Sequence, residues 1–194
     1  MLSDHDSPKI PKLKIVFSSG AHCMSIVCVE GCDGSGKTTL IEKARGSQKD
    51  RYFLTVRASR YPPDVSTAVR YLNFVTRTHS RLDVVLDRIH FISDRIYGPV
   101  LRNADIFKDF SIVYGLSEVD IVVYARPPRE VILENVRKGM QLGGVIENAE
   151  AIIDRYDEHM AKLRNEGVTV MVYDYTSDDP VVFWNHVWQK AQGE

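Results

Sequence analysis

The chain has 194 residues, room for one domain and little for a second. Hydrophobic residues make up 44% and charged residues 26%, the ordinary balance of a soluble globular protein. With 25 Lys and Arg against 26 Asp and Glu the net charge is −1, so no overall field favours nucleic acid or a membrane surface, and neither is expected as a partner.

Residues 1–24 hold two prolines, Pro8 and Pro11, and one short apolar run, LKIVF. They read as an N-terminal extension, either a disordered arm or the carrier of one marginal strand. Lys9, Lys12 and Lys14 precede an apolar stretch too short for a signal peptide, and Met24 is a second candidate start of translation. Cys23, Cys28 and Cys32 show neither zinc-ligand spacing nor a secreted disulfide framework. No apolar run approaches the roughly 20 residues that span a bilayer. A cytoplasmic location is therefore expected.

A single domain is expected over 25–194. SIVCVE (25–30) is nearly continuous in apolar residues, as a buried parallel strand should be. A glycine loop follows, then a helix to about Arg45. YFLTV (52–56) is a second strand, ending in the proline-marked RYPP. Asp64 caps a helix with Val65, Ala68, Val69, Leu72 and Val75 on one stripe. DVVLD (83–87) is a third strand, with helical sequence beyond it to about Leu116. DIVVYA (120–125) is the fourth, and Pro127 and Pro128 open a helix. KGMQLGGV (138–145) is glycine-rich and expected to be mobile. Ala149, Ile152, Ile153, Tyr156, Met160 and Leu163 mark an amphipathic helix that Gly167 stops. VTVMVY (168–173) is the fifth strand, and Asp179-Pro180 opens the last helix. Strands alternating with helices imply an α/β fold, a five-stranded parallel sheet flanked by helices in three layers.

Gly31, Gly36, Lys37 and Thr38 satisfy G-x-x-x-x-G-K-[ST] between a strand and a helix. Such a loop aims backbone N–H groups at phosphate oxygens, and the helix amino end adds its dipole. Gly31, Cys32, Asp33, Gly34, Ser35, Gly36, Lys37, Thr38 and Thr39 are thus the expected nucleotide-binding residues, with ATP and Mg²⁺ as ligands. Lys37 reaches the outer phosphates and the Thr38 hydroxyl takes the metal. A GTPase is excluded by the lack of an N-K-x-D base-reading motif. Cys32 lies within the amide-rich loop, which favours a reactive thiolate protected by Mg·ATP.

VEGCDGSGKTTL resembles the opening motif of thymidylate kinases, VVLDR (84–88) resembles the D-R that ends their third strand, and SRYPPD (59–64) is similar to their R-F-P segment. The likeness extends loosely over 25–190. It implies a P-loop kinase with a mobile lid that phosphorylates a deoxynucleoside monophosphate, dTMP first. It assigns Asp33 to the 3′-hydroxyl of the acceptor sugar, where a charged acceptor strengthens the hydrogen bond. Asp87, at the carboxyl end of a parallel strand, faces the crevice where such sheets bind ligands. The resemblance places it beside Mg²⁺, and Arg88 on the acceptor phosphate, which a planar guanidinium grips at two oxygens. It further implies acceptor contacts from Ser93, Tyr97 and Arg102, an aromatic from Phe74 or Tyr71 on the base, and lid cations from Arg137 and Lys138, with Arg129 a weaker candidate. Members are often dimers, so a homodimer is an open expectation.

Two departures stand out. Where many thymidylate kinases carry an arginine after R-F-P, this chain has Asp64, leaving Arg60 or Arg57 to bind the acceptor phosphate. The lid is also thin in arginine. Asp94-Arg95 repeats the D-R pair, and DRIHFISDR resembles the deoxynucleoside kinases, which keeps a nucleoside acceptor as the alternative. That reaction needs a general base near the second strand, where only Asp64 is on offer. A nucleotide-binding protein without chemistry is a third reading.

Overall fold

The computed structural model describes residues 24–47, 53–58, 64–78, 82–139 and 143–193. Expectations for residues 1–23, for Arg60 and for positions 140–142 of the glycine-rich segment lie outside these.

The strands are β1 (Ile26–Glu30), β2 (Phe53–Arg57), β3 (Asp83–Asp87), β4 (Ile121–Ala125) and β5 (Val170–Tyr173). They form one five-stranded, all-parallel sheet in the order β2-β3-β1-β4-β5. The helices are α1 (Lys37–Ser47), α2 (Val65–Thr78), α3 (His90–Tyr97), α4 (Ile112–Gly115), α5 (Arg129–Lys138), α6 (Ala149–Asn165) and α7 (Pro180–Ala191). Side chains alternate across each strand and so build two cores. Cys28, Val84, Leu86 and Val122 face α2, α3, α5 and α6. Val27, Val29, Val85 and Val123 face α1 and α7. The Trp184 indole donates to the carbonyl of Leu40 at 2.9 Å, tying α7 to α1. Among the described residues no helix is long and apolar enough to cross a membrane.

Caps fall where short polar side chains precede apolar stripes. Asp64 accepts from the Thr67 amide at 2.7 Å, and Asp179 from the amides of Val181 and Val182 at 2.8 and 2.9 Å. The stretch after β3, read as helical sequence to about Leu116, is broken into short pieces. α3 stops at Tyr97, a π-helical turn covers Gly98–Arg102, and Asn103 leaves it in the left-handed region at φ 51°. Pro99 has no N–H to continue an α-helical ladder, so the turn widens. The Arg95 guanidinium donates to the carbonyls of Phe107 and Phe110, holding the chain that returns towards α4. β1 lies at the centre, between β3 and β4, and the loop at its carboxyl end opens the crevice of the sheet.

Candidate active site

β1 delivers the chain beside β4 so closely that a Cβ on Gly31 would stand 2.6 Å from the Ala125 carbonyl oxygen. Gly31 also needs φ 146°, so only glycine serves there. Gly36, at φ 86°, lies under the Tyr175 ring, where a Cβ would come within 2.8 Å of a ring carbon. The Tyr175 hydroxyl accepts from the Asn135 amide at 2.7 Å, and Asn135 also donates to the Gly34 carbonyl at 3.0 Å. The loop is thereby braced by α5 and by the residues after β5. Lys37 begins α1 and folds back, its Nζ donating to the Cys32 carbonyl at 2.6 Å, with Ser35 Oγ at 3.4 Å. Burial, with Arg88 close by, lowers the Lys37 pKa to about 8. Thr38 and Thr39 are exposed at the start of α1.

Cys32 reverses an expectation. It is 3% exposed and belongs to the apolar core on the α2, α3, α5 and α6 side of the sheet. Burial pushes its thiol up to about 11, so desolvation outweighs the amide dipoles.

Arg88 follows β3 in the left-handed region at φ 70°, a conformation that costs a non-glycine residue on the order of 1 kcal/mol. Its Nη2 donates to Asp33 Oδ1 at 2.5 Å and to the Tyr97 hydroxyl at 3.3 Å, and its guanidinium lies 5.1 Å from the Tyr97 ring centre. Tyr97 in turn donates to Asp33 Oδ2 at 3.3 Å and accepts from the Asp33 amide at 3.1 Å. One register step away, buried Asp87 accepts from Arg57 Nε at 2.8 Å, and the Arg57 carbonyl accepts from the Tyr71 hydroxyl at 3.0 Å. Asp33, Arg88 and Tyr97 thus form one cluster, with the Asp87–Arg57 pair next to it. The remaining candidates lie elsewhere. Phe74 is 64% exposed on α2, Arg137 is exposed on the last turn of α5, and Lys138 pairs with Glu134 on the same helix. Asp94 pairs with Arg102, and Arg129 with Asp154.

Sequence reasoning missed Glu30. Its carboxylate is fully buried and accepts from the Ile89 amide at 2.7 Å, the Tyr156 hydroxyl at 3.1 Å and the Ser93 hydroxyl at 3.2 Å. It joins β1, the turn after β3, α3 and α6, and so fixes Arg88 against the loop. Burial raises its pKa, opposed by Arg88, the Ile89 amide, Lys37 and the Tyr156 hydroxyl. The signal was present, because a carboxylate closing an apolar strand needs buried partners. Arg126 was missed as well. Its Nε and Nη2 donate to the two Asp157 oxygens at 2.8 and 2.9 Å, and the Tyr124 hydroxyl reaches Asp157 at 2.7 Å.

Parallel strands in this order, with a glycine loop leading from β1 into α1, define the architecture. The chain has the P-loop nucleotide kinase fold. It superposes on YorR from Bacillus subtilis, solved in complex with phosphorylated GDP, with a TM-score of 0.68 and 16% identity over 88% of this chain and 99% of that one. It also superposes on deoxyadenosine kinase from M. mycoides. The form with bound dATP gives a TM-score of 0.56 and 17% identity over 87% of this chain and 99% of that one. The form with bound dCTP gives 0.54 and 17% over 84% and 98%. No protein-family model and no curated protein matches the chain.

Proposed function

We propose that the protein transfers the γ-phosphoryl group of Mg·ATP to the 5′-phosphate of a deoxynucleoside monophosphate, dTMP first. The supporting observation is the pair of arginines at the crevice, Arg57 ending β2 and Arg88 following β3, each held by a carboxylate. Two cations beside a phosphate loop suit an acceptor that is itself anionic. Arg88 would leave one Asp33 oxygen for the acceptor phosphate, freeing that carboxylate for the sugar 3′-hydroxyl. Tyr97 and Ser93 line the same side, with Phe74 further out on α2.

Lys37 and the loop amides would hold the donor. Magnesium carried by a nucleotide asks for one or two protein oxygens, and the exposed Thr38 hydroxyl and the Asp87 carboxylate meet that need. When bound, the ion neutralises charge on the donor phosphates. Arg137 and Lys138, bordering the glycine-rich segment, would close over the donor and exclude water.

A nucleoside acceptor is the second reading, favoured by the likeness to deoxyadenosine kinase. A 5′-hydroxyl must lose a proton to a base, and the position ending β2 is Arg57, a cation, not a carboxylate. The test is ADP release with Mg·ATP against the four deoxynucleoside monophosphates, dUMP and the matching nucleosides. Turnover with a monophosphate is expected. Turnover with nucleosides alone selects the second reading, and none with any acceptor removes both.

A further inference from the structure

We propose that Arg126, positioned by Asp157, contacts the γ-phosphoryl group and neutralises the charge that develops on it during transfer. This rests on the kinase reading above. β4 runs parallel to β1 with Tyr124 opposite Glu30, so the next residues bring Ala125 beside Gly31 and Arg126 beside Cys32. The 2.6 Å approach of an imagined Gly31 Cβ to the Ala125 oxygen fixes how near the two chains run. Arg88 follows β3 on one side of β1, and Arg126 follows β4 on the other. The phosphate loop therefore rises between two arginines.

Arg126 is held but not used up. A guanidinium carries five N–H donors in a rigid fork. Nε and Nη2 bind Asp157, and Nη1 donates to the Pro127 carbonyl at 2.7 Å. Among the described residues one N–H on each terminal nitrogen has no partner, and these two can grip adjacent phosphate oxygens. The side chain is 20% exposed, so ligand can reach it. The Tyr124 hydroxyl holds Asp157 from the other side, making Asp157 a positioning residue. Two other cations follow Arg126 along α5, each with its own carboxylate. Lys138 binds Glu134 on its own helix and Arg129 binds Asp154.

In the reaction an acceptor phosphate oxygen forms a bond to the γ-phosphorus. The bond from that phosphorus to the β–γ bridging oxygen breaks, and the bridging oxygen leaves with the electron pair as part of ADP. No redox change occurs, and no proton is released when both phosphates are ionised. Charge gathers on the γ-oxygens and the bridging oxygen, where a fixed guanidinium needs no reorganisation to stabilise it.

The experiment compares wild type with Arg126→Gln, Arg126→Lys and Asp157→Asn. It measures steady-state ADP release with the acceptor the panel identifies, and calorimetric affinities for Mg·ATP and Mg·ADP. Arg126→Gln should lower kcat by about 100-fold or more, with KM for the acceptor changed less than about threefold. It should also lose roughly fivefold of the preference for Mg·ATP over Mg·ADP. Arg126→Lys should recover about tenfold of the lost kcat, and Asp157→Asn should lower kcat by about tenfold. A purely structural ion pair would shift melting temperature in all three and leave kcat and the ATP-to-ADP ratio alone. Wild-type kcat in Arg126→Gln overturns the proposal, and Arg126→Lys decides it should the glutamine variant not fold. If wild type uses no acceptor, the kinase reading fails. The ATP-to-ADP ratio then judges Arg126 alone, an unchanged ratio in Arg126→Gln overturning the contact.

Discussion

The phosphate loop takes its shape from one unbroken stretch, Gly31 to Thr38, whereas the cluster around Arg88 draws Asp33 from the loop, Arg57 from β2, Asp87 from β3 and Tyr97 from α3. In the loop, glycine backbone angles and the Lys37 hydrogen bond set the shape, and Asn135 and Tyr175 brace it from outside. In the cluster, a residue in a strained left-handed conformation is held by long-range contacts, including the buried Glu30 carboxylate on the neighbouring Ile89 amide. Each contact on the acceptor side therefore depends on several elements being packed correctly. The donor side takes its shape from its own sequence and needs fewer outside contacts, chiefly those of Asn135 and Tyr175.

Substitutions in the cluster should strike the acceptor and spare the donor. Arg88→Ala is expected to lower kcat/KM for a monophosphate acceptor by about 100- to 1,000-fold, the loss of a charged, bidentate phosphate contact. Affinity for Mg·ATP should change by less than about tenfold, because Arg88 reaches the loop only through Asp33 and through its charge near Lys37. Asp33→Asn should cost the acceptor about tenfold, through a less well held Arg88 and a weaker partner for the sugar. Equal losses for donor and acceptor in Arg88→Ala, measured by calorimetry and initial rates, would show that the two halves are one unit.

The same division explains how much was legible in the sequence. All five strands, the loop and the capping roles of Asp64 and Asp179 follow from period, glycine spacing and short polar side chains, each a local signal. The break after Tyr97 was hidden because Ile112 and Leu116 continue an apolar pattern, although Pro99 already barred a regular helix. Glu30 and Arg126 each close an apolar strand at the crevice, the argument that singled out Asp87, and it applies to all three. Their partners, Tyr156 and Asp157, lie far along the chain on α6, and no local pattern connects them. Which way Cys32 points is likewise a matter of packing, and the loop motif is silent on it.

Cys32 allows that distinction to be sharpened chemically. With burial raising its thiol from an ordinary 9.0 to about 11, the thiolate fraction at neutral pH is lower by roughly 100-fold. Alkylation of Cys32 by iodoacetamide, followed by mass spectrometry of the native protein, should be at least about 100-fold slower than for a free thiol. Mg·ATP should add little further protection. Reaction at the rate of a free cysteine would mean that the loop opens as a unit and that its sequence alone does not hold it closed.

The smallest effect tests the donor half by pH. Lys37 has its pKa lowered to about 8 in the ligand-free protein, first by burial and then by Arg88. A bound phosphate stabilises the ammonium form, so the pKa in the complex must be higher. Binding therefore takes up a proton whenever free Lys37 is neutral. Affinity is full below pH 8 and falls as pH rises through and above it, approaching a tenfold loss per unit. Between pH 7.5 and 9 the dissociation constant for Mg·ATP should rise by about eightfold. Cys32, near 11, stays protonated across this window. Lys37→Arg keeps its charge throughout and should flatten the profile even where it binds less tightly, since a guanidinium does not titrate here. A slope that survives in Lys37→Arg would place the titrating group outside the loop. The donor half would then owe its pH response to a group beyond Lys37, and its own sequence would not account for how it binds.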